Sequence, residues 1–379
     1  MKESKKIKVC FVGFASYPLF NKEKGAVYTG AEVQLYLIAK SLLTLPNYEV
    51  SFLVGDYGQE SLEEHDGIKV YKYPYKLQDT MFLRHLSDQK KVSRFLDKIG
   101  ADIYIHRSGT KIAPIICHYA KKNNKKFVYM LAHNINAELS YPKFAKKYVT
   151  KLYSSFGIYR YLYALLNADY IIVQNNYQKH LLEWALKIKP ILIRSGYDIA
   201  DVLVKKGKHI LYVSRCTNYK QPEVFIELAK SFPKESFVMI SPGDDGYLVK
   251  IKDMAQKVSN LKFLEQVHLK DIDKYFLDSK IFVNTSLHEG FPNTYIQAAK
   301  NKTPILTLHI NPDEILNRYE IGFVCNDFDT LRSKISILLN DVKLYNRLSD
   351  NSYRYAKENH DIKEIIRSYD SIFRSLVKS

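Results

Sequence analysis

At 379 residues, 46% hydrophobic and 26% charged, the chain is longer than one typical domain and ordinary for a globular protein, so two domains are expected. Lys, Asp, Asn or His interrupts every apolar run well before the roughly 18 residues that a membrane-spanning helix needs, which argues against a bilayer-crossing chain. The net charge of +17 is uneven: residues 1–190 hold 29 Lys and Arg against 16 Asp and Glu, and the remainder holds 28 against 24, so an anionic partner is expected for the first half.

In chain order, the start MKESKKIKVCFVGFA has the basic lead of a signal peptide, but no small-residue cleavage site precedes the polar NKEKG, and IKVCFVGF reads as a first buried strand. KGAVYTGAEVQLYLIAKSL follows as an amphipathic helix, with Gly30 allowing close backbone approach where it begins. VSFLVG, ADIYIH, KFVYML, DYIIVQ and PILIR are short apolar runs that suit buried parallel strands. Arg107 follows ADIYIH, and His133 and Asn134 follow KFVYML, all at strand ends. Between Glu138 and Asp169 there is no acid, while five Lys/Arg and eight aromatics occur; this suits a membrane-interface helix and equally a helix with a buried aromatic face.

A polar stretch, SGYDIADVLVKKGKH, ends this first half. The alternation then restarts with ILYVSR, SFVMIS, LKFLEQ, KIFVNTS and TPILTL. The fold class expected is α/β, with two Rossmann-like doubly wound domains facing across a cleft. Their limits are placed at 1–195, 196–355 and a tail helix over 356–379 that packs back on the first domain. In such sheets ligands bind at the carboxyl ends of the strands.

The second half carries the most chemistry. ILYVSRCTNYKQPEVF puts Arg215 at a strand end and Lys220 five residues on, before a helix opened by Pro222 and Glu223. Two cations near a helix N-terminus can stabilise a leaving nucleoside diphosphate without a divalent metal; taken singly, each reads as a solvated loop charge. In VNTSLHEGFPNTYIQAAKNKTPIL a loop carries His288 and Glu289, Asn293 is the expected N-cap of TYIQAAKN, and Gln297 lies one turn inside. The free first-turn amides of that helix suit an anion. The Asp-x-Asp pairs at 271–273 and 327–329 precede helices and read as caps rather than a metal site. Cys10, Cys117, Cys216 and Cys325 are far apart, so neither a disulfide framework nor a zinc site is expected.

Together these segments resemble glycosyltransferase family 4, the retaining enzymes of GT-B fold also known as glycosyl transferases group 1, over nearly the whole chain. The Arg215 to Lys220 spacing and EGFPNTYIQ, similar to the family's Glu-x7-Glu motif, carry most of the likeness; TGAEVQLYLIAKSL resembles its Gly-Gly loop and helix. The resemblance implies that Arg215 and Lys220 hold the donor diphosphate and Glu289 contacts the transferred sugar. Gly30, Phe291, Pro292, Asn293, Thr294 and Gln297 would border the donor, and His133 the sugar or acceptor. Arg107 and Asn134 are candidates on the acceptor side. It further implies front-face transfer with retention, no metal and no cofactor, from a nucleoside-diphosphate sugar, a UDP-sugar preferred over a GDP-sugar, to a glycan or lipid-linked acceptor. Gln297 stands where the family has its second Glu, and Thr29 where it has the first of two glycines.

The competing reading is a non-catalytic sugar-nucleotide or glycan-binding relative, for which Gln297 is the positive sign. An epimerase or phosphorylase on the same architecture fits the segment around Glu289 less well. No zinc-finger, helix-turn-helix or RNP-like signature supports nucleic-acid binding. The setting expected is the cytoplasm, in surface-polysaccharide or glycoconjugate synthesis, with the basic first domain a candidate for peripheral contact with the inner face of the membrane.

Overall fold

The computed structural model describes residues 6–24, 28–74, 82–108, 111–141, 155–201, 207–243 and 246–378. They form two compact units, Met1–Gly196 with Ile362–Ser379, and Tyr197–Asp361. Among the described residues no helix is long and apolar enough to cross a membrane.

The first unit is built on eight strands: β1 (Ile7–Val12), β2 (Tyr48–Val54), β3 (Leu62–His65), β4 (Ile68–Lys72), β5 (Ile103–Arg107), β6 (Lys126–Met130), β7 (Tyr170–Val173) and β8 (Ile191–Leu192). Their order is β3-β4-β2-β1-β5-β6-β7-β8, and every pairing is parallel except β3 with β4. The predicted runs became the parallel strands because helices cover both faces, which calls for unbroken apolar sequence. The β3–β4 hairpin escapes that reading: LEEH alternates exposed and half-buried positions and lacks an apolar face.

One face of this sheet packs α2 (Phe82–Ile99), α3 (Ala113–Lys122), α5 (Ser155–Asn167) and α6 (Asn176–Leu186), with the five-residue α4 (Asn134–Glu138) after β6. The other face packs α1 (Gly30–Leu42) and the last helix of the chain, Ile362–Lys378. That last helix buries Ile362, Ile365, Ile366, Tyr369, Ile372, Phe373 and Leu376, a 3-4 spacing that makes one continuous stripe. Tyr48 donates its hydroxyl hydrogen bond to Asp370 at 2.6 Å. The helix packs closely over Gly196, where a Cβ would lie 2.5 Å from Ile362 Cδ1 and force that side chain to shift.

The second unit holds β9 (His209–Val213), β10 (Phe237–Ile240), β11 (Leu261–Leu264), β12 (Ser279–Asn284), β13 (Ile305–Thr307) and β14 (Gly322–Val324). All are parallel, in the order β11-β10-β9-β12-β13-β14. Strand β14, Gly-Phe-Val with Phe323 and Val324 only half-buried, is the one strand of this unit that the sequence reading did not mark. Its helices are α7 (Pro222–Ser231), α8 (Gly246–Gln256), α9 (Leu269–Leu277), α10 (Asn293–Lys300), α11 (Ile315–Arg318), α12 (Phe328–Asn340) and α13 (Val342–His360), and α14 is Ile362–Lys378. Because α13 is one continuous helix, the chain leaves this unit at Asp361 rather than at 356.

Two expected caps moved. Pro292, not Asn293, is the N-cap residue of α10, which makes Asn293 its first residue. His268 caps α9, so Asp271 sits in the first turn and Asp273 pairs with Lys300. Asp327 does cap α12, accepting from the Thr330 amide at 2.8 Å.

Candidate functional site

Strand order reverses between β9 and β12: β10 and β11 continue to one side of β9, and β13 and β14 to the other side of β12. Such a reversal opens a crevice at the carboxyl ends of the two strands, because their connections leave in opposite directions. Lys220 follows β9, Glu289 follows β12, and the two side chains form an ion pair there. Both are largely buried, 11% and 14% exposed. Ser286 donates a 3.0 Å hydrogen bond to the same carboxylate oxygen, Oε1.

The turn that presents Lys220 is pinned from both strands. Lys220 ends a short 3-10 turn, Asn218–Lys220, and Gln221 adopts left-handed backbone (φ 49°) to start α7 at Pro222. The Tyr212 hydroxyl of β9 donates to the Lys220 carbonyl at 3.1 Å. The Thr285 hydroxyl, just after β12, lies 2.6 Å and 2.9 Å from the carbonyls of Lys220 and Gln221. Backbone joins the loops too, the Leu287 amide donating to the Tyr219 carbonyl at 2.8 Å. Lys220 Nζ also lies 5.3 Å from the centre of the half-exposed Tyr219 ring.

Arg215 adds a second cation at the end of β9, and its buried Nε finds no hydrogen-bond partner among the described residues. A buried guanidinium N–H left this way favours an acceptor from a ligand. The first turn of α10 receives no side-chain cap. Two cations and one carboxylate thus follow β9 and β12, and the helix after the second loop starts without a side-chain cap, features that suit an anion.

The remaining donor-side candidates vary in exposure. Asn293 and Thr294 are half-buried at the start of α10. Gln297, on the same helix, is buried, 6% exposed. Phe291 is buried against the His360 ring, with centroids 5.2 Å apart, so it supports the loop through packing.

The other candidates belong to the first unit. Gly30 is the first residue of α1, and Thr29, in place of the family's glycine, caps that helix in a reciprocal box with Glu32. His133 caps α4, its Nδ1 accepting from the Ile135 amide at 3.2 Å. Asn134 Oδ1 accepts from Asn175 and Gln178 of the α6 segment. Arg107 is buried and donates from Nη2 to Gln174 at 2.8 Å and Ser195 at 3.3 Å. Sequence reading missed Ser286, Thr285 and Tyr212; the one local signal was a serine three residues before Glu289. Of the aromatic, basic segment between Glu138 and Asp169, residues 142–154 lie outside the described residues.

Residues 198–355 match the family model described as glycosyl transferases group 1. An uncharacterized glycosyltransferase of Methanocaldococcus jannaschii is 27% identical over 260 residues, 60% of this chain and 60% of that protein's length. Among solved structures, the sucrose-phosphate synthase of Thermosynechococcus elongatus superposes with TM-score 0.79 at 14% identity, over 98% of this chain and all of the other. HepE of Anabaena, in complex with UDP and glucose, gives 0.72 at 14% identity over 97% of this chain and 100% of that one. The chain thus carries a glycosyl transferases group 1 domain over residues 198–355, within the two-sheet α/β architecture of GT-B glycosyltransferases.

Proposed function

We propose that this protein is a glycosyltransferase that moves a sugar from a nucleoside-diphosphate donor to a hydroxyl of a glycan or lipid-linked acceptor, with retention of configuration and without a metal. The observation that carries the reading is the buried Lys220–Glu289 pair at the strand-order reversal of the group 1 domain. Donor entry would place the diphosphate between Arg215, Lys220 and the start of α10, and the sugar hydroxyls against Glu289. As the bond from the anomeric carbon to the phosphate oxygen breaks, negative charge develops on the leaving diphosphate. Fixed cations and helix amides stabilise that charge. The acceptor oxygen bonds to the anomeric carbon on the same face, and its proton passes to the departing phosphate oxygen, so no protein nucleophile is needed.

UDP is the first nucleotide to test, since HepE is a structural neighbour solved with it. The preference for an acceptor on a lipid or surface polysaccharide rests on the charge of the first half of the chain. Arg107 and Asn134, the acceptor-side candidates, are hydrogen-bonded within the first unit, to Gln174 and to Asn175. A thermal-shift screen with UDP, GDP and ADP in EDTA tests the proposal, since a ligand that binds the folded state raises its apparent stability. Stabilisation by one diphosphate, lost in Arg215→Ala, is expected; no shift with any nucleotide would overturn it.

A further inference from the structure

Helix α6 carries the single tryptophan of the chain. Trp184 is 54% exposed and Tyr177 44%, although rings of this size are ordinarily well covered. Seven residues separate them, about two helical turns, so both stand on one stripe roughly 10 Å apart. Helix α4 and the bend after it run beside this stripe and hold both rings. The Tyr177 hydroxyl donates to Glu138 Oε1 at 3.1 Å, and the half-buried Tyr141 ring meets Trp184 edge-on, with centroids 4.4 Å apart. The two helices are themselves tied together, since Asn134 Oδ1 accepts from Asn175 and Gln178 at 3.1 Å and 3.2 Å. Burial and the Glu138 carboxylate push the Tyr177 hydroxyl up to about 12, so it keeps its proton and goes on donating.

Aromatic rings fixed beside carboxylates suit a sugar. A pyranose offers a face of C–H bonds that lies flat on an aromatic ring, and a rim of hydroxyls that donate to a carboxylate, bonds strengthened by the acceptor's charge. Glu138 stands against Tyr177, and Glu183 precedes Trp184 in the helix, its Oε2 3.5 Å from His180 Nδ1. An anionic lipid surface fits poorly, because these acids would meet its phosphates. The core of a protein interface is depleted in charge and rich in apolar contact. Here two acids flank the rings, and the exposed large hydrophobics of α6 are Tyr177 and Trp184, with no leucine among them. Helices α4 and α6 also begin at the carboxyl ends of the neighbouring strands β6 and β7, the edge at which a parallel sheet binds ligands.

We propose that Tyr141, Tyr177 and Trp184 form a platform for the sugar rings of a glycan chain, with Glu138 accepting hydrogen bonds from its hydroxyls. The platform needs no nucleotide, so it stands independently of the donor site. Because the chain has one tryptophan, the indole emission of the protein reports on Trp184 directly. Titration with maltohexaose, cellohexaose and chitohexaose tests the proposal, since stacking on a C–H face does not depend on one linkage. At least one of the three should move the emission to shorter wavelength and cut its quenching by iodide about twofold, because a sugar over the indole closes one of its two faces to water. Tyr177→Ala should weaken that binding about tenfold, whereas Tyr177→Phe, which keeps the ring, should bind nearly as the parent does. If Tyr177→Ala does not fold by circular dichroism, Glu138→Gln, which removes the charge alone, should weaken binding severalfold. Shielding by none of the three oligosaccharides, or binding that Tyr177→Ala and Glu138→Gln both leave intact, would overturn the proposal. So would shielding that follows protein concentration without added sugar, which would make the face a contact between copies. A failure of the donor reading would instead show as a missing UDP thermal shift with the shielding of Trp184 unchanged.

Discussion

Glu289 Oε1 has two partners, Lys220 Nζ and Ser286 Oγ. Under the proposed function a donor diphosphate would compete for the lysine, leaving the serine to hold the carboxylate in place. Ser286 is 1% exposed, and it donates to a charged acceptor, a bond worth about 1.5–3 kcal/mol. Ser286→Ala should therefore lower kcat for transfer about tenfold or more, leave UDP affinity unchanged, and be rescued in part by Ser286→Thr. Steady-state kinetics with UDP binding measured in parallel separates the two quantities; a loss of UDP affinity at constant kcat would contradict this role. Arg215, Lys220 and Glu289 could be singled out from sequence because each lies in a short motif with fixed spacing. Ser286, Thr285 and Tyr212 could not, since their value comes from bonds linking the loops after β9 and β12, segments about 65 residues apart in the chain. Thr29 looked like a defect of the family pattern, yet its hydroxyl closes a capping box that glycine cannot make.

Among the elements, those that show in sequence are strands covered on both faces, because burial leaves an apolar run. Strand β3 lacks that signature through exposure, and β14 is a glycine followed by two half-buried residues. The last helix shows its stripe in sequence; it follows the second unit in the chain and joins the core of the first. Phe373 is fully buried in that core, with its ring 5.8 Å from Tyr369. Truncating it leaves a cavity as well as losing the transfer energy, so Phe373→Ala should cost about 3–5 kcal/mol. Urea unfolding followed by circular dichroism checks the value; a cost below about 1 kcal/mol would mean the helix is a dispensable appendage. Shortening the chain at Asp361 should strip the first unit of one of the two helices on one face of its sheet, while every strand of the second remains.

Across the whole molecule, the units divide the charge more sharply than the halves of the sequence do. Met1–Gly196 with Ile362–Ser379 holds 34 Lys and Arg against 18 Asp and Glu; Tyr197–Asp361 holds 23 against 22. The first unit thus carries +16 and the second +1 by simple difference. Cutting at residue 190 hid part of this, because the last helix adds four Lys/Arg and two acids to the first unit from the far end of the chain. Like charges on a compact body repel, and salt screens that repulsion. Each unit also has its own core, and the Lys220–Glu289 pair lies wholly in the second. Calorimetry should therefore resolve two transitions with separate responses. Raising salt should lift the transition of the first unit by a few degrees, at about 2–4 °C per kcal/mol for units of this size, and leave the other nearly fixed. UDP at a hundred times its dissociation constant should lift the second by the equivalent of about 2.7 kcal/mol and leave the first in place. Phe373→Ala assigns the peaks, since it lowers the first unit's transition alone. Salt moving both transitions equally would show that the charge asymmetry does not govern stability, and UDP moving the Phe373-sensitive peak would place the nucleotide in the first unit.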